Sequence, residues 1–211
     1  MGILSWSGVP LGALVACLGL PACGGRLDAF QSKSSGLIDD FEDGNTESAI
    51  PSAWWYTTDD GSTAKPTMEV APPSDHPGDA GALHFAGGPF TTWGAILGIA
   101  VDGGSDPGYD GARFSSLRFS ARAEPTSEHA LQVYLLETRQ SASGTVWYSL
   151  HYDLTLTDVW AEYAIPFTSF AYDMDPTLRL DPSHLRHLQF FVQSPTAFDI
   201  WVDDVWFAHD R

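Results

Sequence analysis

Basic residues are scarce in this chain: Lys and Arg number 10 against 27 Asp and Glu, a formal net charge of -17. So large an acid excess argues against nucleic acid as a partner, because phosphates must be met by basic patches. It also argues against electrostatic docking on anionic lipid. Cysteine is almost absent. Cys17 and Cys23 both precede the polar stretch that opens at Gly24, so the rest of the chain has no disulfide to staple it. No G-x-S-x-G, P-loop or H-E-x-x-H occurs, which removes the usual signs of a nucleophile elbow, a nucleotide cradle or a catalytic zinc. Carboxylate pairs able to cleave a glycoside arise by chance among 27 acids, so the chain reads as a non-enzyme. No long apolar stripe at helical spacing is present either.

What is present is apolar and aromatic. Hydrophobic residues make up 44% of the 211, enough for one well-packed domain. Aromatics reach 13%, with 8 Trp and 7 Tyr, more indole than such a core needs. A ring surplus in an acidic, Lys-poor chain suits neutral ligands such as sugars, whose C–H faces stack on aromatic rings. Short β-forming runs (LIDDF, WWYTT, TMEV, ALHFA, WGAILGIAV, SSLRFSAR, ALQVYLLET, TVWYSLHYDL, WAEYAIPF, HLQFFVQ and FDIWVDDVWF) are separated by clusters of Gly, Pro, Asp and Ser. Leu117, Phe119 and Ala121 alternate with Arg118, Ser120 and Arg122; Leu131, Val133 and Leu135 alternate with Gln132, Tyr134 and Leu136. Period-two patterning at close spacing predicts an all-β antiparallel sandwich over residues 37–209. Only PSHLRHL, residues 182–188, is predicted to form a helical turn.

Residues 3–20 are apolar, rich in Gly and Ala, and precede the first charge at Arg26. With Leu20 and Ala22 at the -3 and -1 positions before Cys23, residues 1–23 resemble a bacterial lipoprotein signal segment. The resemblance implies lipidation at Cys23, with Cys17 after Leu14-Val15-Ala16 as the competing position, and a polar tether over residues 24–36. It places the domain in the bacterial cell envelope, periplasmic or surface, touching membrane only through the lipid; plain secretion is the alternative.

Several stretches along the domain together resemble the jelly-roll carbohydrate-binding modules of family 11, with a galactose-binding-like fold. They are LIDDFEDG; Trp55-Tyr56 before Asp59-Asp60-Gly61; Gly81-Ala82-Leu83-His84 before Trp93-Gly94; Tyr109-Asp110 before Ser115-Ser116-Leu117-Arg118-Phe119; Trp160 before the run IPFTSF; and FDIWVDDVWF. The resemblance implies non-catalytic binding of a polysaccharide or oligosaccharide on a concave sheet. By position, the ligand-binding candidates are Trp55, Tyr56, Tyr134, Trp147, Tyr148, Tyr172 and Asp173, while Trp93, Trp160 and Trp201 read as core.

The four acids of LIDDFEDG are either a solvated strand edge or cation ligands. The resemblance implies that first and last strands meet around a structural calcium, which takes six to eight hard oxygens. Asp40, Glu42 and Asp43, with Asp203 or Asp204, are its candidate ligands. His184 and His187, three apart, lack a cysteine or third ligand for zinc. A rival reading keeps the same fold as an envelope scaffold with a protein partner and no sugar.

Overall fold

The computed structural model describes residues 36–62, 64–73, 75, 80–104, 108–193 and 195–209. The expected signal segment with Cys23, and the expected tether short of Gly36, fall outside the described residues. Among the described residues eleven strands follow in order: β1 (Leu37–Asp39), β2 (Trp55–Asp59), β3 (Thr67–Ala71), β4 (Ala82–Gly87), β5 (Ala95–Ala100), β6 (Ser116–Ala123), β7 (Ala130–Ser141), β8 (Gly144–Thr155), β9 (Ala161–Pro166), β10 (Leu185–Val192) and β11 (Phe198–Ala208). They form two antiparallel sheets. One runs β3-β4-β11-β6-β9, with β1 also on β11; the other runs β2-β5-β10-β7-β8. The domain is a β-sandwich of jelly-roll type.

The two faces of each strand explain the layers. Leu117, Phe119 and Ala121 of β6 and Leu131, Val133 and Leu135 of β7 are buried, as their alternation predicts. Between the sheets they meet Phe85, Leu97, Ile99, Leu188, Phe190, Ile200, Val202 and Phe207 in one continuous core. Burial of this kind is the main favourable term in folding, and no disulfide is needed to supplement it.

One expectation is corrected in part. Within residues 182–188 only Pro182–His184 forms a 3-10 turn, capped by Asp181, and a second 3-10 turn, Phe167–Ser169, lies in the IPFTSF run. Leu185 onward is strand β10, paired on both edges by β5 and β7. Its Leu188, Phe190 and Val192 belong to a period of two, and Leu185 and Leu188 are three apart because the pairing with β7 shifts register between Leu185 and His187.

Candidate functional site

The outer face of the β2-β5-β10-β7-β8 sheet carries the exposed rings. Register brings residues from distant parts of the chain into one row across all five strands: Tyr56, Gly98, Gln189, Tyr134 and His151. The next row along the strands reads Thr58, Ile96, Phe191, Gln132 and Asp153. In the other direction lie Ala100, His187, Leu136 and Ser149, and beyond them Thr138 and Trp147.

These side chains form connected ring groups. Trp93 stacks with Phe191 (6.1 Å between centroids), Phe191 meets Tyr134 edge-on (6.0 Å), and Tyr134 lies 5.4 Å from His151. Tyr56 is T-shaped to His187 (6.3 Å), which lies 5.9 Å from Trp147. Polar groups run between the rings. Gln189 Nε2 donates to Tyr56 Oη at 3.0 Å; Tyr134 Oη donates to Gln132 Oε1 at 3.2 Å; Gln132 Nε2 donates to Asp153 Oδ1 at 2.7 Å. Arg186 donates to Asp102 at 2.8 Å and to Thr138 Oγ1 at 3.1 Å, and its guanidinium lies 5.8 Å over the Trp147 ring. Burial pushes the Tyr134 hydroxyl up, reinforced by Asp173 and Asp153, so it stays a proton donor. Burial also depresses His187, leaving its imidazole neutral and able to share a proton with Tyr56 Oη at 3.4 Å. A depression of about 290 Å³ opens beside Gln132, Asp153, Phe191 and Gln193. A larger hollow of about 430 Å³ lies elsewhere, beside Ile50, Tyr109, Asp110 and Arg113, and shares with the ring face only Asp102.

The predicted ligand residues divide by strand parity. Tyr56, Tyr134 and Trp147, the last 53% exposed, lie on this face. Trp55 does not. It is 3% exposed, stacked on Phe190 at 6.2 Å and packed against Phe41 at 5.6 Å, and its indole N–H donates to Asp39 at 2.8 Å. Successive strand residues point to opposite sides, so of the pair Trp54-Trp55 it is Trp54, 53% exposed, that shares the side of Tyr56. The same parity separates Trp147 from Tyr148. Tyr148 pairs with the buried Glu137, packs on the core's margin against Tyr172 (5.6 Å, T-shaped) and lies under the Arg139 guanidinium. Asp173 does reach the face: residue 171 bridges His151 through two backbone bonds of 2.9 Å, placing Asp173 3.8 Å from the His151 ring.

Trp93, read as core, is 37% exposed on the ring face instead. Its loop is held by Asp60, whose Oδ2 accepts the backbone N–H groups of Thr91 (3.0 Å) and Thr92 (2.7 Å). Trp160 and Trp201 are half-buried on the outside of the opposite sheet, bracketing Arg122, with Trp201 stacked 4.3 Å from His84. Trp54, Gln189 and Asp60 escape sequence reasoning because their roles depend on cross-strand register; the doubled aromatic WW is the one local signal.

The acids form a second centre where β1 and β4 share an edge of β11. Asp203, paired with Ser120, is 2% exposed; the register with β6 shifts between Asp203 and Trp206, and Asp204 there has a φ of 46°. Phe41 has a φ of 47°, so the turn of LIDDFEDG, like the β11 bulge, holds a non-glycine residue in the left-handed region. Asp39, 3% exposed, accepts from Phe41 N–H (2.9 Å) and from the Trp55 indole; Asp203 accepts from Asp204 N–H (2.7 Å); Glu42 accepts from residue 80 N–H (3.1 Å). Burial pushes Asp39 up to about 7, and Asp43 and Asp40 add to it. Burial pushes Asp203 up to about 8, with Asp204, Glu42 and Asp40 acting in the same direction. Among the described residues, no three His, Cys, Asp or Glu side chains are gathered as a ready metal cage. The donors are nonetheless the hard oxygens calcium takes.

The fold and the ring face define a class, the β-sandwich with an aromatic-lined sheet, and solved structures share the fold. The family 11 carbohydrate-binding module of the cellulosomal cellulase Lic26A-Cel5E of Clostridium thermocellum is 18% identical over 83% of this chain and 95% of its own, with a TM-score of 0.59. A family 11 module from Clostridium thermocellum in complex with a β-1,3-1,4-mixed-linked tetrasaccharide aligns over the same shares at 18% identity and a TM-score of 0.58. The family 30 module of the cellulosomal cellulase Cel9D-Cel44B of Clostridium thermocellum is 16% identical over 74% of this chain and 91% of its own, with a TM-score of 0.57. No family model and no curated protein matches the sequence. The chain has the jelly-roll fold of family 11 and family 30 carbohydrate-binding modules.

Proposed function

We propose that this chain binds carbohydrate, without cleaving it, on the outer face of the β2-β5-β10-β7-β8 sheet. The observation that carries the proposal is the set of half-buried and exposed rings on that face, Tyr56, Trp93, Tyr134 and Trp147, with Trp54 exposed just before β2. Rings of this kind stack on sugar C–H faces, while Gln132, Gln189, Asp153 and Asp173 offer hydrogen bonds to hydroxyls. Five strands spaced ~4.8 Å apart span about 19 Å, room for an oligosaccharide segment rather than one sugar. The fold's neighbours include a module holding a tetrasaccharide, which supports the same substrate class.

Native gels containing soluble polysaccharides, mixed-linkage β-glucan among them, test the proposal. Retardation by one glycan class is the expected result, with Tyr134→Ala or Trp147→Ala weakening binding by about tenfold or more, as loss of a central aromatic anchor does. Folded protein that migrates unretarded on every glycan would favour the scaffold reading instead.

Calcium at the acid centre belongs to the same proposal. Its support is chemical: Asp203 is buried, and the charges acting on it, from Asp204, Glu42 and Asp40, are all negative. Asp40, Glu42 and Asp43, with Asp203 or Asp204, would hold the ion, while Asp39 is already engaged by Phe41 and Trp55. The ion's role would be structural, neutralising the repulsion between the first and last strands. We further propose that Cys23 is acylated and tethers the domain at the envelope. Incorporation of labelled palmitate in the bacterial host, lost in Cys23→Ser, is the expected outcome, and equal labelling of that variant would refute it.

A further inference from the structure

Strand β5 lies between β2 and β10 in the ring-bearing sheet and turns Ile96, Gly98 and Ala100 outward. The middle position is a glycine inside a strand, where it loses backbone entropy and packs no side chain. Nothing in the backbone asks for it. Gly98 is absent from the left-handed residues, and it pairs in unbroken register with Tyr56 on one side and Gln189 on the other.

The reason lies above it. A Cβ built on Gly98 would stand 2.7 Å from both Cζ and Oη of Tyr56 and 3.1 Å from its Cε2, and these are its three nearest atoms. The space is filled by the Tyr56 ring, which leaves β2 and crosses over β5. Its hydroxyl is then met by Gln189 Nε2 at 3.0 Å and His187 Nδ1 at 3.4 Å, both on β10. A ring held at its root by one strand and at its tip by the second strand over lies along the sheet. With a side chain on β5 beneath it, the ring would have to stand away from the sheet, and neither bond to β10 could form.

We propose that Gly98 is a positioning residue of the ligand face: by lacking a Cβ, it lays Tyr56 across β5 as a flat platform in the row Gly98, Gln189, Tyr134 and His151. This inference rests on the carbohydrate reading for its ligand, and it adds an orientation. A platform lying along that row stacks on the face of a pyranose whose chain runs across the strands, and a sugar approaching end-on finds no such surface.

The conflict in Gly98→Ala is with the free end of a side chain, not with backbone, so the ring yields and the fold stays. The melting temperature is expected to equal or exceed that of the wild type, since alanine suits a strand interior better than glycine. Binding to whichever soluble polysaccharide the wild type retains should fall about tenfold, as in Tyr56→Ala. The double variant should lose no more than either single one, because both changes remove the same platform. A purely structural role for Gly98 would not produce that non-additivity. In unliganded wild type, nuclear Overhauser contacts should join the Tyr56 ring protons to the Gly98 α-protons; the Tyr56 contacts should be lost in Gly98→Ala while those between Trp55 and Phe190 persist. Unchanged affinity in Gly98→Ala, or additive losses in the double variant, would overturn the proposal. So would the absence of the Tyr56–Gly98 contact in the wild type. A wild type that shows the contact but binds no polysaccharide overturns the carbohydrate reading and with it the ligand role of Gly98, a result distinct from either failure above.

Discussion

Replacing Trp55 by alanine is expected to destabilise the protein by about 3–5 kcal/mol, the range for a large aromatic removed from a packed core. The indole fills the space between Phe190 and Phe41 and is 3% exposed, so its loss opens a cavity that strands on both sides cannot close without moving. It also donates to Asp39 Oδ2, and the truncation leaves that buried oxygen without its partner. Trp54→Ala, one residue away, should leave the unfolding midpoint nearly unchanged, within about 0.5 kcal/mol, because its side chain is mostly in solvent. Its effect should fall on glycan binding instead. Urea unfolding and gel retardation of the two variants check both halves. A Trp55→Ala protein with wild-type stability and lost binding would mean that β2 presents its other side to the core.

The second large effect is a fall in stability as pH rises in the presence of a chelator. Asp39 and Asp203 titrate near 4 in an unfolded chain, but burial holds them up to about 7 and about 8 when folded. From about pH 4 upward the folded protein therefore binds more protons than the unfolded one, and unfolding becomes easier with each step in pH. The loss is complete once both acids are ionised in both states, above about 8. Below about pH 4 these two groups contribute no further change. This is the reverse of the usual carboxylate, whose pKa is depressed by folding and whose stabilisation is lost in acid. A tenfold difference in proton affinity between the folded and unfolded chain corresponds to about 1.4 kcal/mol, and 1 kcal/mol moves the melting temperature of a domain this size by about 2–4 °C. Between pH 5 and pH 8 in chelator, a drop of at least ~5 °C is expected. Calcium favours the ionised carboxylates and should restore most of it at pH 8 by binding the folded state alone. Asp203→Asn should melt higher than wild type at pH 8 in chelator and respond less to calcium. Calorimetric scans decide the matter; a profile that is flat or rising between pH 5 and 8 without calcium would refute the assignment.

Much of this architecture was legible in the sequence. Alternation in LRFSA and LQVYL marks which residues of β6 and β7 are buried, because a strand between core and solvent must repeat with a period of two. That the acid-rich first and last strands meet was implied by the resemblance to family 11 modules, and β1 does lie on β11. Where two rings are adjacent, as in Trp54-Trp55 and Trp147-Tyr148, local pattern selects no side, since a slip of one residue exchanges core and solvent for the whole strand. The side is chosen by what waits across the sandwich: Phe190 and the Asp39 carboxylate for Trp55, solvent for Trp147. The segment from Pro182 misleads for a related reason, since a bulge beside His187 gives two apolar residues a spacing of three inside a strand.

By itself, then, the sequence determined the class of structure: an acidic, disulfide-free β-sandwich with more rings than its core can hold. Short-range pattern suffices for that, because strand alternation and turn residues are properties of neighbours along the chain. Only the tertiary structure decided which rings form the face. Tyr56, Gly98, Gln189, Tyr134 and His151 are brought into one row by hydrogen-bonded register between strands up to 133 residues apart in their side-chain contacts. The burial of Asp203 was likewise settled by the tertiary structure. Register is a property of pairs of strands and of the core they jointly bury, and no single stretch of chain contains it.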